Sequence, residues 1–382
     1  MKMMVKPGLP DLARQKKGPV LLAIYIFFWA AILICIATAG WVITWKMLQI
    51  PAMYPPFADM RTVQGALASL AAGYDPQFNN PGDPWGRAMN YPAIWIHIAR
   101  FFQFGNENHF IVFVSSCVLG YLCACYALLK RTPSVYLLLA MFSGSSLLAV
   151  ERGNNDLVIF LLVALALHVR RDWARSAIVL LAVILKFYPV FAVYGLLRKK
   201  IRYLVMSAAL AAVYLMTRVS EMMVIKAGNT ASGNLSYGLS LDAKQLSVLL
   251  VVLGLIGYLL RRKGVPGRLC ANDSGEYERE MFIVGGSVFV ATFVLAMNWD
   301  YRLVFLLFCL PYFLTLRSRF LLHASSIVVL LTMNVLLLGS IGQFWVSVAH
   351  VGKYFLFVVV FIALVYELLP KATIVRANLS GN

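Results

Sequence analysis

The chain has 382 residues, 61% of them hydrophobic and 13% charged, with a mean hydropathy of +0.78 and a formal charge of +18. Soluble domains are about 45–50% apolar and about 25% charged, so a soluble fold is excluded, and six cysteines are too few for a disulfide scaffold. The positive charge needs no nucleic acid, because membrane proteins gather Lys and Arg on their cytoplasmic side.

Residues 1–18 are short and basic and read as a cytoplasmic tail. The apolar run from Pro19 to Val42 exceeds a signal-peptide core of about 7–15 residues and reads as a retained first helix. A loop over 47–108 follows on the extracytoplasmic side. It carries Asp59-Met60-Arg61, a short amphipathic helix from Val63 to Ala72, the turn Gly73-Tyr74-Asp75-Pro76 and an irregular Asn/Gly/Pro stretch. Asn90-Tyr91-Pro92 leads into an apolar segment, Ala93 to Phe102, too short to span and suited to the interface.

Further apolar blocks occupy 109–129, 134–150, 157–169, 174–197, 203–220, 244–260, 281–297, 303–316, 320–339 and 351–369. A spanning helix needs about 20 residues, so 157–169 and 303–316 are short and end inside protein or a wet cavity. Block 174–197 is flanked by arginines on both sides, Arg170, Arg171 and Arg175 before it and Arg198 and Arg202 after it. A single crossing would put one basic cluster outside, and Pro189 breaks the block in its middle. The expectation is a hairpin of two short helices entering and leaving from the cytoplasm. The whole then reads as one all-α integral membrane domain, 1–382, of about eleven to twelve helices. The loop 261–280 and the tail 370–382 are cytoplasmic, in a multi-pass protein of the cytoplasmic membrane.

No P-loop, dinucleotide, zincin or paired-cysteine zinc signature occurs, and the five histidines lack metal-ligand spacing. No metal or cofactor is therefore expected. What remains are polar groups that hydrophobicity would forbid, all on one expected side. Arg152, Lys186 and Arg302 are cations at helix ends or hairpin tips; Asp59, Asp156 and Asp300 are carboxylates; Asn154, Asn155 and Tyr188 accompany them. Ionisable groups in such places mark functional sites. Cations suit an anionic ligand such as a phosphate, and a carboxylate beside them suits deprotonation of a hydroxyl. Arg61, Tyr91 and Trp299 are candidate sugar or acceptor contacts. The competing structural reading makes Arg152–Asp156 and Asp300–Arg302 local ion pairs.

The order of a loop Asp, Gly-Tyr-Asp-Pro at 73–76, Tyr-Pro at 91–92, Arg-Gly-Asn-Asn-Asp at 152–156 and Lys-x-x-Pro at 186–189 resembles glycosyltransferase family 87. That family includes mycobacterial polyprenyl-phosphate-mannose-dependent phosphatidylinositol mannosyltransferases. The resemblance covers roughly residues 19–200, with Asp-Tyr-Arg at 300–302 in support. It implies a GT-C fold with an extracytoplasmic active site and a polyprenyl-phosphate sugar as donor. It further implies a lipid or glycan acceptor and inversion at the anomeric carbon. It makes Asp59 the base and places Arg152, Asn155 and Lys186 near the donor phosphate. Asp59-Met60-Arg61 lacks the second Asp of metal-dependent relatives. A secondary transporter or a lipid-linked glycan ligase or polymerase would also use midplane charges, but the chain shows no internal repeat and no large late outer loop.

Overall fold

The computed structural model describes residues 9–198, 200–227, 233–239, 241–263, 275–295 and 297–369. The fold is all-α, with 78% helix. In chain order the helices are α1 (Leu9–Ala39), α2 (Trp41–Met47), α3 (Ala58–Ala71), α4 (Ile94–Phe101), α5 (Glu107–Arg131), α6 (Val135–Met141), α7 (Gly144–Arg152), α8 (Asp156–His168) and α9 (Asp172–Leu185). A 3₁₀ turn, Tyr188–Phe191, leads into α10 (Ala192–Leu197), α11 (Ile201–Thr217), α12 (Val219–Ala227), α13 (Ala243–Arg262) and α14 (Glu276–Leu295). A long 3₁₀ helix, Asp300–Phe308, precedes α15 (Leu310–Phe313), α16 (Arg319–Met333), α17 (Val335–Ile341) and α18 (Gln343–Leu368).

Among the described residues, five helical stretches are long and apolar enough to cross a membrane, or seven if each of two bent pairs counts as one span. This is fewer than the eleven to twelve helices read from the sequence. The difference lies in length: several apolar blocks fold as short helices, and at 1.5 Å per residue a helix the length of α8 reaches only about 20 Å. Hydropathy marks a segment as buried from water, but not whether lipid or protein buries it. Here α7, α8, α14 and the 3₁₀ helix Asp300–Phe308 pack on one another at the centre, with α5, α9 to α11, α16 and α18 around them.

The expected hairpin over 174–197 is present. Arg175 at the start of α9 donates from Nη1 to the Leu196 carbonyl at the end of α10 (3.0 Å), and Lys200 lies 3.8 Å from Asp172. The two basic flanks therefore share one end of the bundle. At that end Arg131 stacks on the Tyr277 ring at 3.5 Å, the Tyr277 hydroxyl meets His168 Nε2 at 3.2 Å, and Arg175 pairs with Glu280 at 2.7 Å. Arg261 caps the chain after α18 through the Leu369 carbonyl (3.2 Å).

At the opposite end the loop 48–57, α3, α4 and their connections close over the helices. The short amphipathic helix of the sequence begins earlier than expected, at Ala58, so Asp59 sits in its first turn. Two residues of backbone pair there in antiparallel register, Ser236 opposite Trp299 and Tyr237 opposite Asn298. They tie the approach to α13 to the start of the 3₁₀ helix Asp300–Phe308.

Candidate functional site

The site is built around two adjoining side-chain clusters joined by one turn. Gly153 ends α7 in the left-handed region (φ 56°), which lets the chain reverse within three residues before α8 starts at Asp156. A Cβ on Gly153 would stand 2.7 Å from Val114 Cγ1 and 2.8 Å from Phe57 Cβ, so only glycine fits. The turn sends consecutive side chains to different partners. Asn154 reaches Asp59, and Asn155 and Asp156 reach Lys186.

In the first cluster, Asp59 is almost fully buried, at the positive end of the α3 dipole. Its Oδ2 accepts from Asn154 Nδ2 at 2.6 Å and its Oδ1 from Arg87 Nη1 at 3.3 Å. Arg87 is itself fixed by Asp83, which accepts from its Nε (3.1 Å), Nη2 (3.0 Å) and backbone N–H (2.9 Å). The guanidinium also donates to the Ala58 carbonyl and lies 4.7 Å above the Trp85 ring. The loop can approach α3 this closely because Gly65 and Gly82 face each other; a Cβ on Gly65 would meet Asp83 N at 2.5 Å. Tyr91 is buried beside Asn154, with its hydroxyl 3.4 Å from Asn154 Nδ2. Burial first, and the nearby Asp59 charge second, push its phenol pKa well above the ordinary value. The phenol stays neutral and accepts from the Asn154 amide. A cavity of about 560 Å³ opens here, lined by Asp59, Arg87, Asn90, Tyr91, Arg152 and Trp299 among others.

In the second cluster, Asp156 is fully buried and accepts from the Tyr188 hydroxyl (2.6 Å), Arg302 Nε (3.3 Å) and Lys186 Nζ. Lys186 also donates to Asn155 Oδ1 at 2.6 Å and lies 5.3 Å from the Tyr91 ring centroid. It is positioned by the end of α9, whose Leu185 carbonyl accepts from Trp95 Nε1 of α4 (2.9 Å). Two cations thus share one carboxylate, a local excess of one positive charge. The Asn155 Nδ2 donor is buried with no hydrogen-bond partner. A second cavity, of about 410 Å³, is lined by Lys186, Tyr188 and Arg302 together with Asn90, which borders both cavities.

Of the residues singled out in the sequence, Asp59, Tyr91, Asn154, Asn155, Asp156, Lys186, Tyr188 and Arg302 gather in these clusters, and Arg152 and Trp299 line the first cavity. Two do not join. Arg61 points out of the site into an ion pair with Glu107 (2.6 Å), braced by the Pro56 carbonyl (2.7 Å) and the Phe110 ring. Arg61 lies two residues beyond Asp59, and positions i and i+2 of a helix point to different faces, so adjacency in sequence misleads here. Asp300 is held by Lys353 of α18 through both oxygens, at 2.8 and 2.9 Å, and the same ammonium donates to the Ser236 carbonyl at 3.0 Å. Asp300 therefore anchors the 3₁₀ helix that carries Arg302 and faces no cavity of the site. Neither local pair of the structural reading forms. Arg152 pairs with Glu151, and Arg302 with Asp156 from a distant element.

The sequence reading missed Arg87, Glu151 and Lys353. Glu151 is buried and accepts from Met53 N (2.8 Å) and Trp41 Nε1 (3.4 Å), fastening the loop 48–57 beside Asp59. A buried Glu next to Arg152 was a readable signal, whereas a loop arginine such as Arg87 carries none by itself.

No group of three or more His, Cys, Asp or Glu able to hold a metal ion occurs among the described residues. Compared with protein-family models, with curated proteins and with solved structures, the chain matches none. The molecule is a helical multi-span membrane protein with a buried carboxylate and a buried cation pair at one end of its bundle.

Proposed function

We propose that the protein is a membrane glycosyltransferase that moves a sugar from a lipid-phosphate donor to an acceptor hydroxyl. One observation carries this reading: a single turn, Asn154–Asp156, ties the Asp59 carboxylate to the Lys186–Arg302 cation pair, and each faces its own cavity beside Asn90. A base and an anion site held in fixed relation are what inverting transfer from a phosphate-linked sugar requires.

In the proposed step the acceptor O–H lies against Asp59. Its oxygen attacks the anomeric carbon while the bond from that carbon to the phosphate oxygen breaks. The proton passes to Asp59, and the bonding pair leaves with the lipid phosphate, whose added charge Lys186 and Arg302 receive. Preorganised donors are most effective where charge develops, and binding that strengthens only in the transition state raises the rate. Asn154 and Arg87 fix the two oxygens of Asp59, leaving lone pairs open toward the cavity. The polyprenyl phosphate-linked hexose or pentose of the sequence-level resemblance fits this chemistry, with no resident cofactor taking part. The basic end of the bundle would face the cytoplasm and the Asp59 end the extracytoplasmic side.

Asp59→Asn keeps the shape and one of the two acceptor oxygens but removes the base. Sugar transfer from a radiolabelled polyprenyl-phosphate mannose to membrane lipid is expected to fall by about 10²–10⁴-fold, with insertion and yield unchanged. Full transfer by Asp59→Ala overturns the reading.

A further inference from the structure

The cavity that ends on Lys186 and Arg302 has α12 as its other wall, through Val219, Met222, Met223, Ile225 and Lys226. The helix turns 67° away from α11, and none of its residues is fully buried. It is fastened to the site by Glu221, whose Oε1 accepts the Ala93 N–H at 2.5 Å while Arg218 stands 3.8 Å away. Ala93 directly follows Asn90-Tyr91-Pro92, the segment beside both cavities.

The charge pattern of this groove is one-sided. Among the described residues, three cations line it, Lys186 and Arg302 at one end and the exposed Lys226 on α12, and no carboxylate does. Between them the walls are Met222, Met223, Phe187 and Leu295. Thioether and ring surfaces adapt to an apolar chain of no fixed shape, and the cations attract an anionic head. A free nucleotide or a glycan phosphate has no use for the apolar wall, and a neutral lipid has no use for the cations.

We propose that α12 is the access wall for a lipid monophosphate and that Lys226 is its first anion station, where the phosphate is held before Lys186 and Arg302 receive it. Glu221 is the positioning residue that keeps this wall against Ala93. The inference rests on the lipid-phosphate reading of the site and adds to it the route and a binding residue remote from Asp59.

The test uses the full-length protein in phosphatidylcholine nanodiscs, with Met223→Cys carrying an environment-sensitive fluorophore and farnesyl phosphate as the probe. Saturable binding is expected, with farnesol and inorganic phosphate inactive. Lys226→Gln should weaken binding about tenfold, the loss of one charge-assisted contact, with the same signal at saturation. Glu221→Ala should change the unliganded fluorescence and weaken binding, and Glu221→Gln, whose amide oxygen can still accept from Ala93, should restore both. Wild-type affinity in Lys226→Gln together with lost binding in Arg302→Gln overturns the α12 station and leaves the site reading standing. Absence of farnesyl phosphate binding to the wild type, or binding indifferent to Arg302→Gln, overturns both. A signal reproduced by phosphatidylglycerol in place of farnesyl phosphate makes the groove an anionic-lipid surface and overturns the proposal.

Discussion

At the scale of single residues, the buried charges divide into those fully matched and those left with an excess. Lys353 and Asp300 form a closed pair, 1% and 4% exposed at their side chains. Removing one partner of such a pair strands the other in a dry interior, at a cost of about 3–5 kcal/mol, whereas replacing both can be neutral. Lys353→Met is therefore expected to lower thermal stability in detergent markedly, and Lys353→Met with Asp300→Leu to recover most of the loss, read by unfolding of the purified variants. Equal stability of Lys353→Met and wild type would show that the pair does not anchor the 3₁₀ helix. Lys186 and Arg302 share the single carboxylate of Asp156, so this cluster keeps one positive charge in excess. Lys186 was legible as a charge set in apolar sequence, and Asp156 and Arg302 as charges in short polar runs between apolar blocks. Lys353 is likewise a charge inside an apolar block, 351–369, but its sequence neighbourhood gives no sign that it closes on Asp300, 53 residues away.

At the scale of elements, function depends on how closely short pieces approach. Gly65 of α3 and Gly82 of the loop meet backbone to backbone, with no room for a side chain on either. Gly65→Ala forces the loop outward at a cost of about 1–3 kcal/mol. Because Asp83 and Arg87 ride on that loop, transfer activity should fall further than stability. Thermal unfolding and transfer assays on the same preparation compare the two. A variant that loses stability but keeps full transfer would remove Arg87 from the account of Asp59. The helix boundaries themselves were readable only in part. Proline at 189 and the double basic flank announced the hairpin of α9 and α10. The start of α3 did not announce itself, because Phe57 precedes it in the left-handed region (φ 64°) with no side-chain cap to mark it.

At the scale of the whole molecule, the hairpin places both basic flanks on one end and leaves the Asp59 cluster at the other. Cysteines at two exposed positions, Trp173→Cys and Arg202→Cys, are expected to react with a membrane-impermeant maleimide from the same side of sealed vesicles. Phe78→Cys, in the exposed loop near Asp59, should react only from the opposite side. Labelling of 173 and 202 from different sides would replace the hairpin by a single crossing.

The sequence by itself determined the solvent, the all-helical class and the short list of charges that lipid cannot accommodate, because each follows from the free energy of placing that residue type in hydrocarbon. It also determined the break at Pro189, which is a local steric fact. Only the tertiary structure decided which charges pair. A cation's partner is set by position in space, and in this fold Arg302 finds Asp156 across 146 residues, whereas Arg61, two places from Asp59, turns to Glu107. The same holds for the number of spans. Hydropathy reports how much a segment avoids water, and packing alone decides whether protein or lipid covers it.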